Sequence, residues 1–262
     1  MPLFDLLLLA VVQGLTEFLP VSSSGHLVLL QYWLGAFQGD MMVEVVLHAG
    51  TLAAVLTIYR REVRRLFRLD APALQYLFTL ALATVPVGVV GLLLKDQLEG
   101  AFGSPRLVSV TLVVTGLVLF STRRHDGRER QLGGEWYPLP PTPLQSLLIG
   151  TAQAAAILPG ISRSGSTIAA SLWLGLERAE AARFSFLMSV PAILGALVVE
   201  VVGGGVHDTT ATVPQLLAAA AAAFLVGMGA LRLTALLVVQ RHFWRFGLYC
   251  VPLGVLAWFL LR

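Results

Sequence analysis

The sequence predicts an all-α integral membrane protein: six transmembrane helices plus two re-entrant helical hairpins in an inverted-topology repeat. Three observations carry that prediction. The 262 residues are 56% hydrophobic and only 13% charged, with a mean hydropathy of +0.79, against roughly 45–50% apolar and ~25% charged residues in soluble domains. Six apolar stretches approach the ~20 residues that a spanning helix needs. Further apolar runs are too short to span, and they come as two pairs, each broken by a polar loop built on Pro and Gly.

In chain order, the first pair covers about residues 3–17 and 23–36, interrupted by GLTEFLPVSSSGH, Gly14 to His26. Irregular backbone at membrane depth persists only where protein buries it or it lines a wet cavity, so the pair is read as a re-entrant hairpin. Spans follow at 42–59, 74–94 and 106–121, then a hydrophilic segment, 122–142. The second pair covers 144–158 and 164–176, around GTAQAAAILPGISRSGST, Gly150 to Thr167, and spans at 183–203, 214–239 and 244–261 complete the chain. The second loop repeats the layout of the first. Gly14-x-x-Glu17 matches Gly150-x-x-Gln153, and the run from Pro20 to Gly25 matches that from Pro159 to Gly165 with a small insertion. A hairpin returns to its starting face whereas three spans change faces, so the second hairpin enters from the opposite side and the two broken elements meet near the midplane. The expected organisation is a single membrane domain, 1–262: repeat one 1–121, a cytoplasmic loop 122–142, and repeat two 143–262.

Loop charges orient this arrangement. Arg60, Arg61, Arg64, Arg65 and Arg68, then Arg123, Arg124, Arg128 and Arg130, then Arg178 and Arg183, then Arg241 and Arg245 all fall on one face, leaving Lys95, Arg106 and Arg262 on the other. The positive-inside rule puts both termini outside, with the mouth of the first hairpin. A net charge of +3, carried in short clusters between apolar runs, gives no surface for nucleic acid. Cys250 is the lone cysteine and forms no intrachain disulfide. The start, Met1 to Asp5, lacks the basic n-region of a signal peptide. No P-loop, GxGxxG, HExxH or paired CxxC occurs, which leaves nucleotide hydrolysis and zinc chemistry without support.

The two loops hold the chemistry. A charge at membrane depth is costly and marks a functional site by default, and Arg163 offers a fixed fork for phosphate or carboxylate oxygens. The half-helices beginning after Ser22-Ser23-Ser24 and Ser162-Arg163-Ser164 expose unpaired N–H groups, which favour anions. Two such ends with Arg163 between them suit a ligand of several negative charges, a phosphate or diphosphate. Glu17 would repel that ligand unless a cation intervenes or the carboxyl moves a proton. Mg²⁺ commonly bridges one or two carboxylates and substrate phosphates, and Glu17 or His26 can act as general acid or base. Ser23 beside them is a nucleophile or a hydrogen-bond donor. Structural roles compete: Ser22 and Ser162 read equally as helix N-caps, and Glu17 and His26 as paired or packed groups. His48 and Glu44, inside the first full span, are expected to support or pack, Gln13 and Gln153 to hydrogen-bond between helices, and Ala218 to Ala223 to permit close packing. Arg232, inside the fifth span, is expected to snorkel or pair locally.

At these residues the chain resembles the undecaprenyl-diphosphatase family of bacterial membranes, also called bacitracin resistance proteins. Gln13-x-x-x-Glu17 is similar to the family's [E/Q]xxxE motif, PVSSSGH to its continuation, and PGISRSGST, Pro159 to Thr167, to its second motif, PGxSRSxxT; RAEAARFSFLMSVPAILGA, Arg178 to Ala196, matches in style. The resemblance covers essentially the whole chain. It implies removal of the terminal phosphate of undecaprenyl diphosphate, a multi-pass protein of the bacterial inner membrane, and a homodimer. By position it implies Glu17, Ser23, His26 and Arg163 as the catalytic set. Gln13, Ser22, Ser24, Gly25, Gly160, Ser162, Ser164, Gly165 and Thr167 then bind substrate. It also implies a divalent cation held by Glu17, Mg²⁺ first and Ca²⁺ as the alternative. One departure matters: many relatives carry Glu where this chain has Gln13, so the loop has a single carboxylate and a two-carboxylate metal cage is weakened. The polyprenyl tail is expected between helices or against lipid.

Two other classes fit parts of the pattern. Inverted repeats with broken helices are also a transporter architecture, so a flippase or transporter of a phosphate-bearing lipid or anion is the alternative, although it has little use for Glu17, Ser23 and His26 together. A non-catalytic lipid-binding subunit is the third.

Overall fold

The computed structural model describes residues 2–34, 40–125, 140–202, 209 and 211–261; Arg128, Arg130, Arg262, the last residues of the first expected hairpin and most of the 122–142 loop lie outside them. Among the described residues every regular element is helical.

Each helix starts where local chemistry allows it. Helix α1, Leu3–Phe18, stops because Leu19 precedes Pro20 and is held extended; α2, Ser23–Leu34, follows the short loop. The Asp40 side chain accepts from Val43 N at 3.2 Å to open α3, Met41–Ile58. A short α4, Arg60–Leu66, leads to α5, Ala71–Leu93, where Asp70 caps Ala73 N at 3.0 Å and Pro72 sits in the first turn. After α6, Lys95–Phe102, Ser104 caps α7, Pro105–Ser121, with Pro at its first position, where no N–H is missed. The second half begins with α8, Pro143–Ala155, opened by a reciprocal capping box between Thr142 and Gln145, then α9, Arg163–Trp173. Three long elements complete the chain: α10, Arg178–Val202, α11, Val213–Val239, and α12, Gly247–Leu260, continuing a 3-10 turn, Phe243–Phe246.

Six of these helices have the length and hydropathy to cross a bilayer, at the expected places and within a few residues of the expected bounds. With 16, 12, 13 and 11 residues, α1, α2, α8 and α9 are shorter than any of these six spans and below the ~17–25 residues of a spanning helix. One boundary differs clearly. Arg178 falls before the expected span at 183–203, yet it lies inside α10, which begins at Arg178. The reason is charge pairing: Arg183 donates to Glu180 at 2.8 Å, one turn apart, and the Tyr76 hydroxyl donates to the other carboxylate oxygen at 2.7 Å. Glu180 is thereby buried as a paired group, and α5 is tied to α10.

The helices pack reciprocally. α1 lies along α11 and α8 along α5; α3 packs on α11 and α10 on α5; α7 and α12 pack on each other. The paired sequence glycines explain the first two contacts. A Cβ on Gly14 would stand 2.8 Å from Ala223 O, and one on Gly150 would stand 2.4 Å from Ala83 O. Each helix can approach its partner's backbone only without a side chain there. The alanine run of α11 also receives Gly50 of α3, whose Cβ would meet Ala220 O at 2.5 Å, as expected of a close-packing surface. Arg232 is exposed on α11.

Candidate functional site

The two polar loops meet. A Cβ on Gly25 would lie 2.9 Å from Gly160 Cα, and one on Gly165 would lie 3.4 Å from Pro20 Cβ. Ser164 Oγ donates to Leu19 O at 3.2 Å across the junction. Other helices hold each loop in place. Thr111 and Thr115 of α7 donate to Pro159 O at 2.6 Å and Gly160 O at 2.8 Å. Gly160 has φ +91, and a Cβ there would collide with Thr111 Oγ1 at 2.0 Å, so this turn accepts only glycine. From the other side, Thr234 of α11 donates to Phe18 O at 3.2 Å and the Cys250 thiol of α12 points to Pro20 O at 3.7 Å.

The loops are built alike down to their hydroxyls. Ser22 Oγ accepts from Gly25 N at 3.2 Å and lies 3.3 Å from Ser24 Oγ; Ser162 Oγ accepts from Gly165 N at 3.1 Å and lies 3.3 Å from Ser164 Oγ. Ser22 and Ser162 are therefore N-caps, each satisfying one orphan donor of a half-helix. Ser22 does so at φ 70, a left-handed conformation that costs a non-glycine residue energy. Ser23 and Arg163, the next residue in each loop, both turn to Glu17.

Glu17 is the hub. Arg163 Nη2 forms an ion pair with its Oε1, Ser23 Oγ donates to Oε2 at 2.6 Å, and Gln13 Nε2 donates to Oε2 at 3.1 Å from one turn earlier in α1. A carboxylate 7% exposed needs such partners, because an unpaired buried charge is strongly unfavourable. Glu17, Ser22, Ser23, Ser24, Ser162 and Arg163 line one cavity of about 250 Å³, with Thr16, His48 and Gln153. Its other wall is apolar: Ile157 and Ile161, Val87 of α5, Phe102 of α6, and Ala192, Ile193, Ala196 and Leu197 of α10. Pro86 and Pro191 stand inside α5 and α10 beside Val87 and Ala192; each lacks an N–H and interrupts the helix ladder at the cavity edge.

Not every expected residue reaches the cavity. His26 Nδ1 donates to Ser22 O at 2.7 Å and its Nε2 accepts from the Tyr249 hydroxyl at 2.7 Å, with the two rings stacked at 5.7 Å. It braces the first turn of α2 against α12 and is not among the lining residues. Thr167 is fully buried, bonded to Arg163 O at 2.8 Å and Ser185 Oγ at 2.6 Å. Gly25, Gly160, Gly165 and Ser164 form the loop junction, and Gln13 lies behind Glu17. Gln13 bonds within its own helix and not between helices, because its Nε2 reaches the carboxylate one turn on. Gln153 likewise bridges nothing: both its side-chain oxygen and nitrogen are buried without a partner, a condition worth about 1–3 kcal/mol against the fold. His48, expected to support or pack, is on the cavity wall. Its Nδ1 lies 2.8 Å from Glu44 O; a carbonyl only accepts, so Nδ1 donates there and Nε2 is the ring nitrogen not bonded to the backbone.

The family model for Bacitracin resistance protein BacA matches residues 6–256. The chain belongs to the bacitracin resistance protein family. Among similar members of that family, a protein named undecaprenyl-diphosphatase from Syntrophotalea carbinolica is 44% identical over 95% of both chains. Another of that name, from Desulfosudis oleivorans, is 41% identical over 97% of both. A third, from Korarchaeum cryptofilum, is 36% identical over 97% of this chain and 98% of its own. These matches run through both loops, so the bacitracin resistance family membership rests on the whole fold and not on a local motif.

Proposed function

We propose that this multi-pass membrane protein is the phosphatase that hydrolyses undecaprenyl diphosphate to undecaprenyl phosphate and inorganic phosphate, returning the lipid carrier to cell-wall synthesis. The observation that carries it is the convergence of Arg163 from one loop and Glu17 with Ser23 from the other on a single cavity, in a chain of this family. A cationic fork, a carboxylate and a hydroxyl in one cavity with apolar side chains of α5, α6 and α10 match a diphosphate carried on a polyprenyl tail. A flippase has no need of the Ser23–Glu17 hydrogen bond.

The site residues take these roles. Arg163 donates to the diphosphate and offsets its charge, the main requirement of phosphoryl transfer. Ser23 Oγ–H already donates to Glu17, as a nucleophile does to its base. In the Ser23 route, Oγ attacks the terminal phosphorus, its proton passes to Glu17, and the bond to the bridging oxygen breaks to release undecaprenyl phosphate. Water then cleaves the phosphoserine to regenerate Ser23 and free phosphate. His48, on the same cavity wall, stands where proton handling is needed, and His26 positions the Ser22–Ser24 turn. The tail lies along the α5–α6–α10 wall.

A divalent cation fits this donor set only in part. Among the described residues no three His, Cys, Asp or Glu side chains gather to hold a metal, and Glu17 is the one carboxylate lining the cavity. Mg²⁺ needs no all-protein cage when substrate phosphates complete its shell. Glu17 is the residue that would hold it, and the ion would supply further charge neutralisation.

The reciprocal packing of α1 on α11 and α8 on α5, with the matched Gly14 and Gly150, supports two inverted repeats whose hairpins enter from opposite faces. The arginine-rich loops support both termini on the outer side of a bacterial inner membrane. Detergent-purified protein, which has no second compartment, is expected to release phosphate from polyprenyl diphosphate; no release above background would refute the phosphatase and leave the transporter.

A further inference from the structure

Gln153 of α8 occupies a position that neither the sequence motifs nor the ion-pair hub accounts for. Its side chain is 1% exposed, its Oε1 and Nε2 both lack a partner, and it lines the cavity that holds Glu17 and Arg163. Buried amides are almost always hydrogen-bonded, so a doubly orphaned one beside a polar cavity points to a partner that arrives from outside the chain. Register strengthens the point. Gly14 and Gly150 make the same backbone approach in the two halves, and three residues on from each stand Glu17 and Gln153. Glu17 is satisfied by Arg163, Ser23 and Gln13; its counterpart is left open.

On the phosphatase reading above, we propose that Gln153 binds the diphosphate headgroup of the substrate. Its Nε2–H donates to a non-bridging phosphoryl oxygen, and its Oε1 accepts from a water held at the same headgroup. A neutral amide suits this place. It offers a donor to the anion without a second positive charge competing with Arg163 for Glu17, and it adds no second carboxylate to repel the phosphates.

The test compares wild type with Gln153→Leu, Gln153→Met and Gln153→Glu, following phosphate release from polyprenyl diphosphate and thermal melting in detergent. Leu and Met remove the amide at similar volume. They are expected to melt no lower than wild type, since no protein hydrogen bond is lost, while kcat/KM falls about tenfold to a hundredfold, the size of one hydrogen bond to a charged group. Gln153→Glu is expected to lose more, with part of the loss recovered at raised Mg²⁺. The proposal is overturned if both apolar variants keep kcat/KM within twofold of wild type, or if both melt several degrees lower, which would make the amide a part of the fold. An inactive wild type would overturn the phosphatase reading itself, and this inference with it; an active wild type with unaffected variants would overturn the inference alone.

Discussion

Replacing Glu17 with Gln should separate binding from turnover. The substitution keeps the shape of the side chain and an oxygen for Ser23 Oγ–H, which now donates at 2.6 Å, but it removes the charge that Arg163 pairs with. Arg163 lines the same cavity, and its guanidinium, released from the ion pair, becomes free to hold an anion. Two unit charges about 6 Å apart repel by roughly 3 kcal/mol at an effective dielectric of about 20. Glu17 opposes a bound diphosphate by an amount of that order, partly offset by Arg163. With divalent cations chelated, a non-hydrolysable polyprenyl diphosphonate should therefore bind Glu17→Gln tighter by about 1–2 kcal/mol, roughly tenfold. Turnover should fall by about 10²–10⁴, the usual worth of a positioned base. Competition binding and phosphate release on the same preparation measure both quantities. Turnover within threefold of wild type would refute the role given to Glu17. Weaker diphosphonate binding with turnover lost would show that Glu17 serves to hold the ligand and not to handle the proton.

Two further predictions concern the scaffold. Gly14→Ala and Gly150→Ala each drive a Cβ into a neighbouring backbone carbonyl, at 2.8 and 2.4 Å, and each should destabilise by about 1–3 kcal/mol, with Gly150→Ala the worse of the two in detergent melting. Tyr76→Phe leaves the buried Glu180 without its 2.7 Å donor and should cost about 1–3 kcal/mol, while phosphate release at temperatures well below the melting point stays near wild type because the Tyr76–Glu180–Arg183 cluster lies outside the cavity lining.

The fold was legible wherever hydropathy alone decides position. All six spans lie close to where apolar runs place them, because lipid demands length and apolarity and little else. Hydropathy failed at Arg178, where Glu180 and Arg183 neutralise each other and allow helix α10 to carry buried charge. The loop motifs named Glu17, Ser23 and Arg163, whose partnership follows from their being the polar groups at the two loop tips. His26 and Thr167 share those motifs, yet the half-helices they sit on turn them away from the cavity, toward Tyr249 and Ser185. A motif records residue type and spacing, and the facing of a side chain depends on where the helix begins. His48 carried a usable signal: an imidazole inside an apolar span marks function by default. Thr111 and Thr115 carried another, two hydroxyls one turn apart in the middle of the mostly apolar α7, set to hold the Pro159–Gly160 carbonyls. Gln153 had only its register with Glu17, and its orphaned amide is visible only in three dimensions.

The most direct measurement of whether both loops act on one pyrophosphoryl group is a double-mutant cycle on kcat/KM with Glu17→Ala, Arg163→Ala and the pair combined. Residues that serve the same bound group are strongly non-additive, so the double variant should be no slower than the slower single variant by more than a fewfold. Losses that multiply across the two sites would contradict the account, since they would mean that Glu17 and Arg163 contribute independently to different steps or ligands.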